Sequence, residues 1–402
     1  MPLQATATAT LPIWSIFRTF LKLGLTSFGG PIAHLGYYRN EFVVRRQWLD
    51  DARYGDLVAL CQFLPGPASS QVGFALGVLR GGGLRGGLAA WIGFTLPSAL
   101  LMFAFALGAA SLVGPAAAGV VHGLKLVAVA VVAQAVWGMA RTLTPDRRRI
   151  AIALGAVAIV VLVDGPTGQL AAIAAGAGAG YRLCRGPVAQ SGPELSMPVS
   201  RRAGITALVL FGVLLLGLPL LSGLTGHRPL ALFDAFYRSG ALVFGGGHVV
   251  LPLLQAETVA TGWIPNETFL AGYGLAQALP GPLFAFAAFL GAQAGMTAGA
   301  PTGAALALLA LFLPGLLLVY GTLPFWDGLR RHAAARHAMM GANAAVVGIL
   351  AAALYHPVWT AAVFDIRDAG IALGGFMLLT LWKAPSWIVV ILLVALGAVG
   401  AS

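Results

Sequence analysis

The chain has 402 residues, of which 59% are hydrophobic and only 9% are charged, whereas about a quarter of the residues in a typical soluble domain are charged. This composition excludes an ordinary soluble domain, a disordered chain and a nucleic-acid-binding protein, and it indicates a membrane protein with several spans. The 24 Lys and Arg residues outnumber the 13 Asp and Glu residues; basic cytoplasmic loops explain this excess, whereas an anionic substrate explains it only if cations lie at membrane depth.

Apolar segments follow one another along the chain, and most are long enough for a helix to cross a bilayer. We place them at about 13–38, 57–79, 88–113, 116–140, 150–163, 165–182, 203–224, 233–255, 271–294, 303–326, 338–355, 369–382 and 386–401. A polar stretch rich in Pro, Gly and Ser at 183–202 separates the two halves of the chain.

Four of these segments contain helix-breaking residues near their middle. The breaks are Phe28-Gly29-Gly30-Pro31, Leu64-Pro65-Gly66-Pro67, Phe244-Gly245-Gly246-Gly247 and Leu279-Pro280-Gly281-Pro282. Pro removes a backbone donor, and Gly relaxes the limits on the backbone dihedral angles. Such backbone is tolerated at membrane depth only where it is buried in protein or lines a cavity, so the breaks predict a functional site inside the membrane.

The two halves carry the same residue pattern, which indicates an internal duplication. Matched residues 215 to 219 positions apart include Phe17 and Phe233, Lys22 and Arg238, Trp48 and Trp263, Gln62 and Gln277, Pro65 and Pro280, Pro97 and Pro314, Gly123 and Gly341, and Pro166 and Pro385. Chance would explain the Pro-Gly-Pro pair alone but not the whole series.

The charges of matching loops differ between the two copies. Residues 39–56 contain four Arg, whereas the counterpart at 256–270 has no Lys or Arg; conversely, 109–119 is uncharged, whereas 327–337 contains three Arg. Because Lys and Arg concentrate in cytoplasmic loops, matching loops are predicted to lie on opposite faces of the membrane. The two copies are therefore predicted to be inverted relative to each other, as in many secondary transporters.

The predicted fold class is an all-α polytopic membrane protein with two inverted-topology repeats and broken, re-entrant helices. We interpret 13–38 and 57–79 as hairpins that enter from the cytoplasm, and 233–255 and 271–294 as hairpins from the other face; complete kinked spans are the alternative. The predicted domains are a first repeat at 1–182, a linker and connecting helix at 183–224, and a second repeat at 225–402.

The residues after the first Pro-Gly-Pro break suit the start of a helix that binds an anion. Ala68, Ser69, Ser70 and Gln71 follow Pro67, and a helix N-terminus offers unpaired N–H groups with partial positive charge. In the second copy this stretch is Leu283-Phe284-Ala285-Phe286, which keeps the backbone site and lacks the hydroxyl groups. The alternative role for the serines is to cap the half-helix.

Charged side chains inside apolar segments are functional candidates because burying them is costly. Lys22 and its counterpart Arg238 are predicted to contact the substrate. The alternatives are that Lys22 extends to the headgroups and that Arg238 pairs with Asp234 one helical turn away. Lys125 also lies inside an apolar segment and needs a partner or an anion.

Four titratable residues next to the breaks are candidates for coupling transport to protons. His34 and His248 follow the Gly-Gly breaks, and histidine titrates near neutral pH; a neutral, hydrogen-bonded histidine is the alternative. Glu41 and Glu257 occupy matching positions beside the same hairpins and are the other candidate carriers.

The sequence predicts neither an enzyme nor a cofactor or metal site. Cys61 and Cys184 are far apart and indicate neither a disulfide framework nor a metal centre. Motifs of metalloproteases, serine hydrolases, P-loop ATPases and redox dithiols are absent from the sequence.

Four motifs together resemble the chromate ion transporter family, specifically its long, two-domain members. They are FGGPIAHLG from Phe28, QFLPGPASSQVGFALG from Gln62, FGGGHVVLP from Phe244 and QALPGP from Gln277. The family's motif positions correspond to Gly29, Gly30, Pro31, His34, Pro65, Gly66, Pro67, Ser69, Ser70 and Gln71 in the first copy, and to Gly245, Gly246, His248, Gln277, Pro280, Gly281 and Pro282 in the second. The second copy departs from the pattern where it lacks the two serines.

The resemblance implies a multi-pass protein of the bacterial inner membrane that exports chromate and confers chromate resistance, with sulfate as a competing ligand. We predict a secondary transporter coupled to the proton gradient, with chromate, protons and the lipid bilayer as partners and no nucleic acid. A transporter of sulfate or another oxyanion, an anion channel and a membrane scaffold are the alternatives, and the sequence leaves open whether the protein is a homodimer.

Overall fold

The structure, a computed structural model, describes residues 10–109, 115–163, 165–184, 198–294, 299–329 and 332–400. The predicted linker at 183–202 lies mostly outside the described residues, as do Asp164, Arg330 and Arg331 of the compared loops. The described residues form helices and contain no strand, which confirms the predicted all-α class.

The first half of the chain forms eight α-helices with one π-helical turn at Arg39–Arg45. The helices are α1 (Ile13–Thr26), α2 (Gly30–Tyr38), α3 (Asp51–Phe63), α4 (Ala68–Gly81), α5 (Leu84–Ala109), α6 (Pro115–Leu143), α7 (Arg147–Leu162) and α8 (Pro166–Leu183). Helix α9 (Arg201–Thr225) connects this half to the second.

The second half repeats this order with more irregular turns. Its helices are α10 (Arg228–Ala241), α11 (Val250–Thr258), α12 (Asn266–Ala276), α13 (Phe286–Gln293), α14 (Ala300–Thr322), α15 (Trp326–Leu329), α16 (Ala333–Ala353), α17 (Thr360–Ala362), α18 (Ile366–Thr380) and α19 (Ser386–Gly400). The irregular turns are 3₁₀ helices at Gly247–Val249, Leu283–Ala285 and Leu323–Phe325, and a π-helical turn at Leu354–Trp359.

Within the described residues, five helices are long and apolar enough to cross a membrane, namely Leu84–Gly108, Ala118–Leu143, Arg201–Thr225, Ala300–Phe325 and Ala333–Ala362. Only 17% of the apolar window of α9 is buried, so most of its surface is left for lipid. Helices α7, α18 and α19 have 16, 15 and 15 residues and are therefore about 23 Å long, less than the ~30 Å hydrocarbon core. The chain is thus a polytopic membrane protein with helices of unequal length.

Helix packing is reciprocal between the two halves. Helices α1 and α4 pack on α5, and their counterparts α10 and α13 pack on α14. Helix α8 packs on α16 of the second half, while α19 packs on α6 of the first. Glycines permit both crossings: a Cβ at Gly341 would meet the backbone of α8, and one at Gly123 would meet the backbone of α19. Each half therefore packs one of its helices against the other half.

Candidate functional site

All four predicted breaks are present as interruptions between helices. The first Gly-Gly break separates α1 from α2, and the first Pro-Gly-Pro break separates α3 from α4; the second copy interrupts α10–α11 and α12–α13 in the same way. Gly66 has a φ of +125° and Gly281 a φ of +94°, a region that residues with a Cβ rarely adopt. Glycine is therefore required at the centre of each Pro-Gly-Pro turn.

The Pro-Gly-Pro break of each copy binds the Gly-Gly break of the other copy. The N–H of Gly66 donates to the carbonyl oxygen of Val243 at 2.7 Å, and the N–H of Gly281 donates to the carbonyl oxygen of Ser27 at 2.9 Å. Val243 and Ser27 occupy matching positions just before Phe-Gly-Gly. A pair of contacts exchanged in this way is characteristic of a two-fold relationship, and it brings all four breaks together.

Each Pro-Gly-Pro turn also lies against the proline-kinked helix of the other copy. The amide Nε2 of Gln71 donates to the carbonyl of Pro65 at 2.9 Å and to the carbonyl of Gly315, beside Pro314 in α14, at 3.1 Å. On the other side, a Cβ built on Gly281 would lie 2.8 Å from the Ser98 hydroxyl, beside Pro97 in α5. Proline inside a helix leaves the carbonyl four residues earlier without its helical donor, here those of Gly93 and Ala310.

The N-terminus of α4 leaves three donors free. Its first helical bond runs from the Gln71 N–H to the Pro67 carbonyl at 2.9 Å, so the N–H groups of Ala68, Ser69 and Ser70 precede the helical ladder. Neither serine caps the helix, because the N-cap residue is Pro67 and no side-chain hydrogen bond caps the helix at that position. The capping alternative is therefore wrong, and both hydroxyl groups are buried at the break.

The corresponding segment of the second copy has a different local structure. A 3₁₀ turn covers Leu283–Ala285, and the Ala285 N–H already donates to the Pro282 carbonyl at 3.0 Å. The turn therefore uses one donor that remains free in the first copy. With apolar side chains at these positions, the second copy offers fewer polar groups than the first.

The two histidines have different surroundings. His34 is fully buried, its Nδ1 lies 3.4 Å from the Ser69 hydroxyl, and its ring packs edge-on against Phe94 at 5.2 Å. His248 Nδ1 lies 2.8 Å from the Tyr273 hydroxyl. His34, which follows the first Gly-Gly break in the sequence, thus lies against the first Pro-Gly-Pro region, whereas His248 contacts α12.

The charged candidate residues differ in their burial and in their partners. Arg238 binds Asp234 at 3.0 Å and Glu257 at 3.2 Å, so the pairing with Asp234 that was the alternative to a substrate contact is present, together with a second carboxylate. Lys22, by contrast, is exposed. Lys125 is buried and lies 3.4 Å from Glu267, which provides the partner that the sequence required.

Glu41 forms ion pairs with Arg46 at 2.6 Å and with Arg45 at 2.5 Å. It lies just outside the predicted apolar segments. Burial opposes ionisation of its carboxyl group, but Arg46 and Arg45 outweigh this effect and hold the pKa of Glu41 below its usual range. Glu41 is therefore a stable carboxylate, in a different setting from Glu257.

The remaining predicted residues lie at or beside the breaks. Gly29 and Gly30 have φ values of +98° and +76°, and Gly245 and Gly246 have values of +75° and +147°. A Cβ on Gly247 would lie 3.2 Å from Pro31, which places the two Gly-Gly breaks side by side. Gln277 precedes the second Pro-Gly-Pro break, and its carbonyl oxygen accepts a hydrogen bond from the Ser386 hydroxyl at 2.8 Å. Pro280 and Pro282 flank Gly281 there.

Sequence analysis did not single out Ser27, Thr95, Ser98 or Gly315 as part of the centre. Comparison of the two copies contains a signal for them, because Ser27, Thr95 and Ser98 match Val243, Phe312 and Gly315. Among the described residues no cluster of three His, Cys, Asp or Glu side chains suits a metal ion, and Cys61 and Cys184 are free and buried. The arrangement offers hydrogen-bond donors.

Converging helix breaks inside an all-helical membrane protein are typical of membrane transporters. Comparison with known proteins specifies the class further: the profile of the family described as Chromate transporter matches residues 14–181 and 230–400. The chain therefore belongs to the chromate transporter family.

Curated relatives span most of this chain. A protein named Chromate transport protein from Pseudomonas aeruginosa is 31% identical, covering 98% of this chain and 94% of its own length. One of the same name from Cupriavidus metallidurans is 27% identical over 94% of this chain and 90% of its own length. The Probable chromate transport protein of Synechococcus elongatus is 28% identical over 83% of this chain and 82% of its own length. No solved structure matches the chain.

Proposed function

We propose that this protein exports chromate from the cytoplasm across the inner membrane and exchanges it for protons. The observation that carries the proposal is the reciprocal bonding of Gly66 to Val243 and of Gly281 to Ser27, which brings the breaks of both copies to the free N–H groups at the N-terminus of α4. The names of the relatives in Pseudomonas aeruginosa and Cupriavidus metallidurans support chromate as the substrate.

Chromate suits this centre because it is a tetrahedral dianion whose oxygens all accept hydrogen bonds. The free N–H groups of Ala68, Ser69 and Ser70 lie at the positive end of the α4 dipole. Neutral donors bind a dianion without the tight ion pair that would slow its release. Sulfate has the same shape and charge, so we propose that it competes for the site.

We propose that the copies are inverted repeats and that transport proceeds by alternating access. The contacts exchanged between the Pro-Gly-Pro break of each copy and the Gly-Gly break of the other support a two-fold relation, and the unequal Arg content of loops 39–56 and 256–270 supports opposite orientations. Rocking of one half against the other would then expose the centre to each side in turn. The proposed repeats are 1–182 and 225–402, joined by 183–224.

Among the four proton-coupling candidates we propose Glu257, acting together with Asp234. These two buried carboxylates share the single guanidinium group of Arg238. One positive charge between two carboxylates leaves a net negative charge that is costly to bury, and binding of one proton removes that charge. Glu41 faces two guanidinium groups instead, so its surroundings favour the ionised form.

Everted membrane vesicles test the proposed function. Their lumen corresponds to the cell exterior, so export appears as chromate uptake. We expect saturable uptake that an acidic lumen drives, that an ionophore collapsing the proton gradient abolishes, and that sulfate inhibits. Chromate uptake equal to that of vesicles without the protein would contradict the proposal, and a current with a defined reversal potential would indicate a channel.

A further inference from the structure

Nine residues of the first copy have a buried side-chain polar atom without a hydrogen-bond partner among the described residues, and four of the nine are Ser, Thr or His. The atoms are Ser27 Oγ, His34 Nε2, Ser70 Oγ and Thr95 Oγ1. Ser27 and His34 are 0% exposed, and Ser70 and Thr95 are 2% exposed. Buried donors are rarely left unpaired because the cost of removing them from water is not recovered. Four in one region need a physical explanation.

Contacts of the residues next to them place the four in the same part of the first copy. The His34 ring contacts Ser69, which adjoins Ser70, and packs against Phe94, which adjoins Thr95. The Ser27 carbonyl holds the N–H of Gly281 at 2.9 Å. A Cβ on Gly281 would lie 3.3 Å from the carbonyl oxygen of Phe94, so the tip of the second Pro-Gly-Pro turn closes the region on one side.

Packing fixes the orientation of the helix that carries His34. Tyr38, one turn further along α2, packs edge-on against Phe94 at 5.3 Å and against Phe20 of α1 at 5.7 Å. The aromatic contacts tie α2 to α1 and α5. His34 is thereby held between the N-terminus of α4 and the kinked helix α5.

The matching positions of the second copy are apolar. Ser27, Ser70 and Thr95 correspond to Val243, Ala285 and Phe312, and His34 corresponds to Val250. These residues are as buried as their counterparts, so burial alone does not explain the difference. The duplicated fold accepts hydrophobic side chains at all four positions. Polar groups there are consequently not required by the architecture.

We propose that Ser27 and Thr95, together with Ser70 and His34, form a neutral hydrogen-bond pocket in the first copy that binds a tetrahedral dianion. The second copy contributes the backbone of its Pro-Gly-Pro turn as a lid. When the Ser69 hydroxyl donates to His34 Nδ1, Nε2 carries the ring proton and becomes a donor. Three hydroxyl groups and this N–H then supplement the free N–H groups of α4. The inference rests on the proposed function and adds Ser27 and Thr95 to its binding site.

Removal of a hydroxyl without a protein partner separates binding from folding. Thr95→Val keeps the shape of the side chain and deletes Oγ1. We expect the half-saturation concentration for chromate to rise about tenfold, equivalent to about 1.4 kcal/mol, while the thermal unfolding midpoint in detergent stays unchanged or rises. Thr95→Ser restores the hydroxyl and should restore the affinity. Ser27→Ala should raise the half-saturation concentration in the same direction.

Thr322→Val is the matched control, since Thr322 is buried and its hydroxyl already donates to the Leu318 carbonyl at 2.7 Å. Its chromate affinity should equal that of the wild-type protein. If the wild-type protein transports chromate and Thr95→Val does so with unchanged affinity, the pocket is wrong although the function stands. Equal loss in Thr95→Val and Thr95→Ser also overturns it. If the wild-type protein transports no chromate in the same assay, the proposed function itself fails.

Discussion

Substitution of Gly66 by alanine would add a Cβ at the most constrained point of the centre. The new atom would lie 2.8 Å from Gln71 Nε2 and 3.0 Å from the Cα of Gly315. The φ of +125° at this position adds strain of about 1–2 kcal/mol for a residue with a Cβ. The Gln71 amide must move, which endangers its bonds to Pro65 and Gly315, each worth about 0.5–1.5 kcal/mol.

These contributions add up to about 2–5 kcal/mol, concentrated where the two copies meet. That is enough to displace the turn by the ångström that separates a working site from a failed one. We expect Gly66→Ala to abolish chromate export. Insertion into the membrane should be unaffected, because it depends on the summed apolarity of the segments. Chromate uptake by everted vesicles, at protein levels matched by immunoblot, measures the effect.

Alanine substitutions at two other glycines serve as controls for Gly66→Ala. Gly55 of α3 has no atom within 4 Å of an added Cβ, so Gly55→Ala should export chromate at the wild-type rate. At Gly281 the Cβ would meet the Ser98 hydroxyl at 2.8 Å, a side chain that can rotate away, so Gly281→Ala should cause a partial loss. If Gly66→Ala exports at the wild-type rate, the turn is only a structural kink and the anion site lies elsewhere.

Three further predictions follow from the same geometry. Glu257→Gln should abolish the response of export to a pH gradient and leave the exchange of chromate between the two sides intact. Glu41→Gln, at the matching position, should keep the pH response. A normal pH response in Glu257→Gln would exclude this carboxylate as the proton carrier. Lys22→Gln should raise the half-saturation concentration for chromate, and unchanged kinetics would assign the exposed lysine to the headgroup region. Single cysteines in loops 39–56 and 256–270 of a variant without Cys61 and Cys184 should react with an impermeant thiol reagent from opposite sides of the membrane, and labelling from the same side would refute the inverted repeat.

The sequence predicted the helix breaks well because their causes are local. Proline and glycine act on their own backbone, so the turn at Gly66 and the interruption at Gly29 and Gly30 follow from residue type alone. The pairing of Arg238 with Asp234 was equally accessible, since residues four apart share a helix face. Such local effects can be predicted without knowing which residues pack against them.

Contacts between the two copies could not be predicted in this way. The bond from Gly66 to Val243 joins two distant stretches, and only the packing of the two halves brings them together. Glu257 beside Arg238 is a similar case. The capping role considered for Ser69 failed because α4 begins at Ala68 and its N-cap is Pro67, so the hydroxyl is beyond the cap position and lies near His34 instead.

Reconstitution of the purified protein into liposomes tests the central claim most directly, because no other transporter is then present. Liposomes with an acidic interior and a neutral exterior reproduce the proposed gradient for molecules inserted with their cytoplasmic face outward. The account predicts that the wild-type protein accumulates chromate inside these liposomes, that Gly55→Ala does the same, and that Gly66→Ala does not. Chromate accumulation that is equal in the wild-type protein and Gly66→Ala, or equal in the wild-type protein and protein-free liposomes, would contradict it.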